Sequence, residues 1–135
     1  MIRIKLTSIM VDDQANAADF YTRVLGFQLK HDIDMGGPRW LTVTTADDPD
    51  GVELLLEPMD GTPAAPVFQK ALRDAGISAT AFGVDDIEAE YKRLDALGVK
   101  IKGPPHRPPQ GPATMQIDDT CGNWIQLFEI EAPTA

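Results

Sequence analysis

Very little in this chain offers a ready-made reactive group. Of its 135 residues one is cysteine and two are histidine. The lone Cys121 rules out an internal disulfide and suits a reducing compartment, so a cytoplasmic protein is expected. His31 and His106 are too few for a histidine-rich metal centre, and both read as ordinary surface residues. No apolar run approaches the ~20 residues of a membrane span. The opening MIRIKLTSIMV is too short and too alternating for a secretory signal. Basic residues are scarce, 12 against 21 acidic ones, which leaves a net charge of −9. That balance repels phosphate backbones and anionic membranes, so neither nucleic acid nor membrane is an expected partner. It suits solubility, and it is compatible with neutral or cationic small molecules. Phosphate-cradling glycine loops, nucleophile elbows and C-x-x-C pairs are all missing.

What is present is a repeat. Val11-Asp12-Asp13 opens a helical stretch that ends near Leu25-Gly26, and Val84-Asp85-Asp86 opens another that ends at Leu97-Gly98. Glu53-Leu54 in GVELLLEP is echoed by Gln126-Leu127 in NWIQLFEI. One offset relates both pairs (84 − 11 and 126 − 53 both equal 73). A constant offset across a helix start and a distant strand marks a duplicated unit. The hydrophobic share of 43% in a chain of this length is enough to build one core without staples.

Each unit reads as βαβββ. In the first, residues 3–11 alternate, with Ile9 and Val11 on one face and Leu6, Ser8 and Met10 on the other. Asp12 or Asp13 caps a helix whose Ala17, Phe20, Tyr21, Val24 and Leu25 recur at helical spacing. Strands are expected at 27–33, 40–45 and 52–57. A connector spans 59–76, with a short helix at 67–76. The second unit has strands at 78–84, 99–102, 113–117 and 124–130, and a helix at 87–97. Between its strands lies GPPHRPPQGP, whose prolines supply no ladder donors. The tail from 131 is expected to fray. The chain is read as a single domain, with module one at about 1–58 and module two at 77–131.

VDDQANAADFYTRVLGF resembles the opening signature of the vicinal oxygen chelate superfamily, which includes glyoxalases, bleomycin-resistance proteins and extradiol dioxygenases. DDTCGNWIQLFE resembles its closing strand. The resemblance implies an α+β fold in which two tandem βαβββ modules form an open, cup-shaped mixed sheet with helices on the outer face. It further implies a homodimer in which both subunits complete the clefts. In metal-dependent members four cup-facing positions hold a divalent ion. Matched by the landmarks above, those positions are Leu6, Glu53, Ala79 and Gln126.

Leucine and alanine carry no donor atom, so at most two protein ligands remain. Catalytic zinc normally takes three, and an iron facial triad needs two histidines and a carboxylate. No cofactor is therefore expected, and a divalent metal is disfavoured. The same residues suit an organic ligand: Leu6, Ser8, Ala79 and Ala81 would give an apolar cup floor. Trp40 and Trp124 either line the cavity as stacking surfaces or pack in the core or at a subunit contact. Glu53 is the one candidate general base, and Gln126 its candidate hydrogen-bonding companion. No second titratable partner can be placed beside Glu53 from the sequence. His106 and Arg107 stand where the proline-rich loop would meet an anionic or carbonyl group. Cys121 and the four aspartates at 12, 13, 85 and 86 are read as turn and capping residues.

Three functions compete. The first is a metal-independent binder of a small organic molecule, of the sequestering or resistance type. The second is a glyoxalase-like lyase or isomerase, or a dioxygenase, with an altered metal site. The third is an accessory domain that keeps the fold for association alone.

Overall fold

The computed structural model describes residues 1–131. The expected fraying of the tail falls, from 132 onward, outside the described residues. The fold is α+β, and the elements follow the expected order with a few shifts. They are β1 Leu6–Val11, α1 Gln14–Asp19 continued by a π-helical turn Phe20–Val24, β2 Gln28–Asp34, β3 Arg39–Thr44 and β4 Glu53–Pro58. Then come α2 Ala64–Asp74, β5 Thr80–Val84, α3 Ile87–Ala96, β6 Thr114–Asp118 and β7 Trp124–Glu129. The strands form one four-stranded sheet, β1-β4-β3-β2, and one three-stranded sheet, β5-β7-β6.

The duplication is visible in the caps. Asp13 accepts a hydrogen bond from the backbone N–H of Asn16, and Asp86 from that of Ala89. Each satisfies an orphan donor of a first helical turn, and each sits at the same place in its repeat. The strand pairing is less strictly copied. In the first sheet Leu6 stands beside Glu53 on parallel neighbours, whereas in the second Ala81, not Ala79, stands beside Gln126.

Three expectations need correction. The 99–102 segment makes no strand: it touches β6 through backbone bonds of Lys100 and Lys102 and a single bridge of Ile101 to Ile117. Gly103 turns the chain away at positive φ, and Pro104 and Pro105 lack the donors to continue a ladder. The connector helix starts at Ala64, ahead of the expected 67, because Pro66 is tolerated in a first turn where its missing N–H has no partner to lose. The first helix is not uniformly α. Its last turn widens, with Leu25 N–H donating to Phe20 O, while Thr22 Oγ1 donates back to Ala18 O at 2.6 Å. The widened turn buries Phe20, Tyr21 and Val24 together.

By contact density the chain divides into two units. The first comprises Met1–Ala71 with Asp119–Gly122, and the second Leu72–Asp118 with the segment from Asn123 onward. This division falls inside the expected connector, 59–76. Hydrogen bonds explain why α2 and the 119–122 turn join the first unit. Gln69 Nε2 donates to the carbonyls of Met10 and Cys121, and Tyr21 Oη donates to Asp119 Oδ2 at 2.7 Å. Asn16 Nδ2 donates to Thr120 O.

The first unit buries Ile9, Val11, Leu41, Val43, Leu54 and Leu56 on one face of its sheet, beneath the first helix. Gln14 fixes that helix: its amide donates to the carbonyls of Arg39 and Leu56 and accepts from Arg39 N–H. In the second unit Met115, Ile117, Ile125 and Leu127 are buried, as are Ile87 and Leu94 of α3. Burial alternates on β4 and β6, whose opposite faces are left to carry other chemistry.

Candidate ligand-binding faces

The free face of the first unit follows from pairing. Leu6 and Ser8 of β1 stand beside Glu53 and Leu55 of β4, Leu55 opposes Thr42 of β3, and Thr42 opposes His31 of β2. Trp40 and Ile33, paired with each other, extend the same face. Leu6, Ser8, Trp40 and Glu53 are thus brought together on one side of one sheet. Leu6, Ile33 and Trp40 remain 45%, 50% and 37% exposed, a heavy apolar display for one sheet face.

At the centre of that face is a polar group. Thr42 Oγ1 donates to Glu53 Oε1 at 2.8 Å, and His31 Nε2 lies 3.5 Å from the same oxygen. Thr44, two residues along from Thr42, has a buried hydroxyl with no protein partner. An orphan hydroxyl in such a place is satisfied by water or by a ligand atom.

His31 is the titratable partner that the sequence reading could not place. It reaches this face because β2 carries a bulge between Leu29 and His31. Without that extra residue Lys30 would oppose Thr42, and His31 would point to the other side. No glycine or other local signal in QLKHDID announces the bulge.

The second unit has its own free face. Trp124 and Gln126 of β7 oppose Asp118 and Gln116 of β6, and Ala81 of β5 stands beside Gln126. Ala79 precedes β5 and donates its N–H to Trp124 O. A cavity of about 250 Å³ opens here, lined by Lys102, Pro104, His106, Thr114, Met115, Gln116 and Gln126. His106 is held on the rim by paired backbone bonds with Thr114, so the proline-rich loop is anchored at this point. Gln116 Nε2 is engaged by Gly76 O and Ser78 Oγ.

Trp124 is only 8% exposed and is not part of the cavity wall. Arg73 lies 4.1 Å from its ring centroid, with Lys102 at 5.1 Å and Lys100 at 5.5 Å. Asp118 in turn pairs with Arg73 at 3.1 Å. Of the two tryptophans, Trp124 therefore orders cations while Trp40 offers an accessible ring. Arg107 is turned to Glu88 and Glu129 and does not line the cavity.

The remaining polar residues support structure. Cys121 is fully buried, and burial with nearby Asp119 pushes its thiol up to about 12. It is not a nucleophile. Asp119, missed as a distinct residue in the sequence, braces the turn by accepting from Tyr21 Oη and from Cys121 N–H.

Of the four positions that hold a divalent ion in metal-dependent relatives, Leu6 and Ala79 contribute no donor. Among the described residues, no three His, Cys, Asp or Glu side chains gather as a metal-binding group. The matched positions therefore offer at most Glu53 and Gln126 as protein ligands.

Comparison with known proteins places this geometry in context. Residues 3–127 match the family model described as Glyoxalase/Bleomycin resistance protein/Dioxygenase superfamily. YurT of Bacillus subtilis (strain 168) is 47% identical over 129 residues, spanning 95% of this chain and 99% of that protein. The crystal structure of UcmS2 shares 33% identity and a TM-score of 0.76, covering 95% of this chain and 98% of its own. TnmS3, an antibiotic binding protein from Streptomyces sp. CB03234, shares 27% identity and a TM-score of 0.72, covering 97% and 98%.

Proposed function

The chain belongs to the glyoxalase/bleomycin resistance protein/dioxygenase superfamily, and from that premise we propose that it binds and sequesters a small organic molecule without a divalent metal. The observation that carries this reading is the free face of the first unit. Leu6, Ile33 and Trp40 lie exposed around one small polar group of Glu53, His31 and Thr42. An apolar, aromatic surface with few convergent polar groups is the chemistry of an organic ligand site. Similarity to an antibiotic binding protein supports it.

In this reading Leu6 and Trp40 supply area, and Trp40 a stacking plane. Glu53 and His31 orient a hydrogen-bonding group of the ligand. Ser8, Ala79 and Ala81 are small enough to leave room, while Gln126 and His106 serve the second unit's cavity.

The protein would act as a cytoplasmic homodimer. The exposed Ile2, Ile4 and Leu6, at alternate positions in the sequence, favour a covering partner. A monomer at micromolar concentration by sedimentation would remove that part of the proposal.

The binding reading is tested by screening organic compounds, planar and aromatic ones first, for a rise in melting temperature and quenching of tryptophan emission. Saturable binding at one site per chain supports it, and loss of that binding in Trp40→Ala ties it to this face. Failure of every scaffold class would sink it.

The His31–Glu53 contact favours one alternative, a lyase or dioxygenase with an altered site. Titration with nickel, zinc, iron(II) and manganese separates the two. Stoichiometric tight binding would favour the enzyme, and its absence the binder.

A further inference from the structure

The wall of the second unit's cavity has a charge opposite to that of the chain. The protein carries 21 acidic and 12 basic residues, yet among the described residues no carboxylate lines this space. Its wall offers one ammonium at Lys102, the imidazole of His106, the hydroxyl of Thr114 and the amides of Gln116 and Gln126.

Lys102 is available for a ligand. Among the described residues it makes no ion pair, and its Nζ is held 5.1 Å from the Trp124 ring centroid. Arg73, the neighbouring cation on that ring, is already neutralised by Asp118. Lys100 stands 5.5 Å from the same ring and adds positive potential without lining the cavity. Gln126 is half-buried, and among the described residues its amide makes no hydrogen bond. A pocket lined by a lysine without an ion pair and an amide without a hydrogen bond among the described residues, and by no acid of those residues, suits an oxyanion. Beside low-dielectric protein the Coulomb attraction exceeds its value in open water, even in a partly open pocket.

We propose that this cavity seats the anionic group, a carboxylate or sulfonate, of an organic ligand. Lys102 Nζ supplies the charge and the Gln126 amide a directed hydrogen bond. Resting on the organic-ligand function proposed above, the inference names the class of ligand: an organic acid, not the cation that the chain's overall charge suggests.

Two fluorescent dyes test it. Anilinonaphthalene sulfonate and the neutral phenylnaphthylamine share an aromatic skeleton and differ in the anion. The wild-type protein should bind the sulfonate about tenfold more tightly, and added salt should narrow the gap. Lys102→Gln should erase the preference and leave the affinity for the neutral dye unchanged. Lys92→Gln, which removes an exposed charge from α3, should keep the preference. Equal wild-type affinities, or a preference that survives Lys102→Gln, would overturn the anion site and leave the organic-ligand function standing. If neither dye binds, the anion site falls, and the organic-ligand function is decided by the wider compound screen.

Discussion

His31 Nε2 stands 3.5 Å from Glu53 Oε1 although their strands, β2 and β4, are not neighbours in the sheet. The contact reaches over β3, whose Thr42 donates its hydroxyl to the same carboxylate oxygen. Three strands thus converge on one atom. Glu53 has one oxygen occupied by protein, and its other oxygen makes no hydrogen bond among the described residues.

The first prediction concerns that group. Glu53→Gln and His31→Ala should each weaken an organic ligand recovered by the compound screen about tenfold, the scale of one lost charge-assisted hydrogen bond. Both groups are partly exposed, so the pair contributes little to folding. Calorimetric titration reads the affinity, and melting should move by no more than about 2 °C. A large drop in melting temperature would make the group structural.

Tyr21→Phe isolates the brace between the first helix and the 119–122 turn. It deletes a buried 2.7 Å bond from Tyr21 Oη to the Asp119 carboxylate. Such a loss costs about 1–3 kcal/mol. Urea unfolding should show a lower midpoint with an unchanged slope.

Gly122→Ala should be at least as damaging. Gly122 has φ +98°, a conformation that side chains resist, and an added Cβ would meet the Gln69 amide at 2.6–2.7 Å. The backbone penalty alone is about 1–2 kcal/mol. Displacing Gln69 would also break its bonds to the carbonyls of Met10 and Cys121. Gly61→Ala, at φ +78° with open space around it, is the matched control for the backbone penalty. The difference between the two melting temperatures measures the clash.

Alkaline pH should destabilise the protein in a defined window. Burial raises the Cys121 thiol from 9.0 to about 12 and lifts Tyr21 well above 10.0. Above about pH 9 the unfolded chain releases these protons while the folded chain keeps them, so stability falls as pH rises toward 12. Cys121→Ala should flatten the slope at its lower end. In the folded state at about pH 8 the thiol should resist Ellman's reagent, and it should react fully in urea.

The repeat and its meaning were legible because they rest on local physics. A carboxylate before an apolar helix predicts a cap wherever it occurs, and both Asp13 and Asp86 act as caps. Strand alternation placed Leu6 and Ser8 away from Ile9 and Val11, and the burial pattern agrees. The expected strand at 99–102 does not form because Gly103 turns the chain at positive φ and Pro104 and Pro105 have no N–H to extend a ladder.

The sequence by itself determined the repeat and the order of elements, which follow from period and spacing and need no neighbour in space. Its opening and closing motifs carried the resemblance that implied the family and its four site positions. Only the tertiary structure decided what stands beside Glu53. One bulged residue in β2 sets which side of the sheet His31 occupies, and a bulge arises from pairing with β3, not from QLKHDID alone. Likewise the sequence fixes a net charge of −9, but folding sorts the charges. Asp118 is spent on Arg73, Glu129 on Arg107 and the N–H of Ile87, and Lys102 is left facing a cavity without an acid.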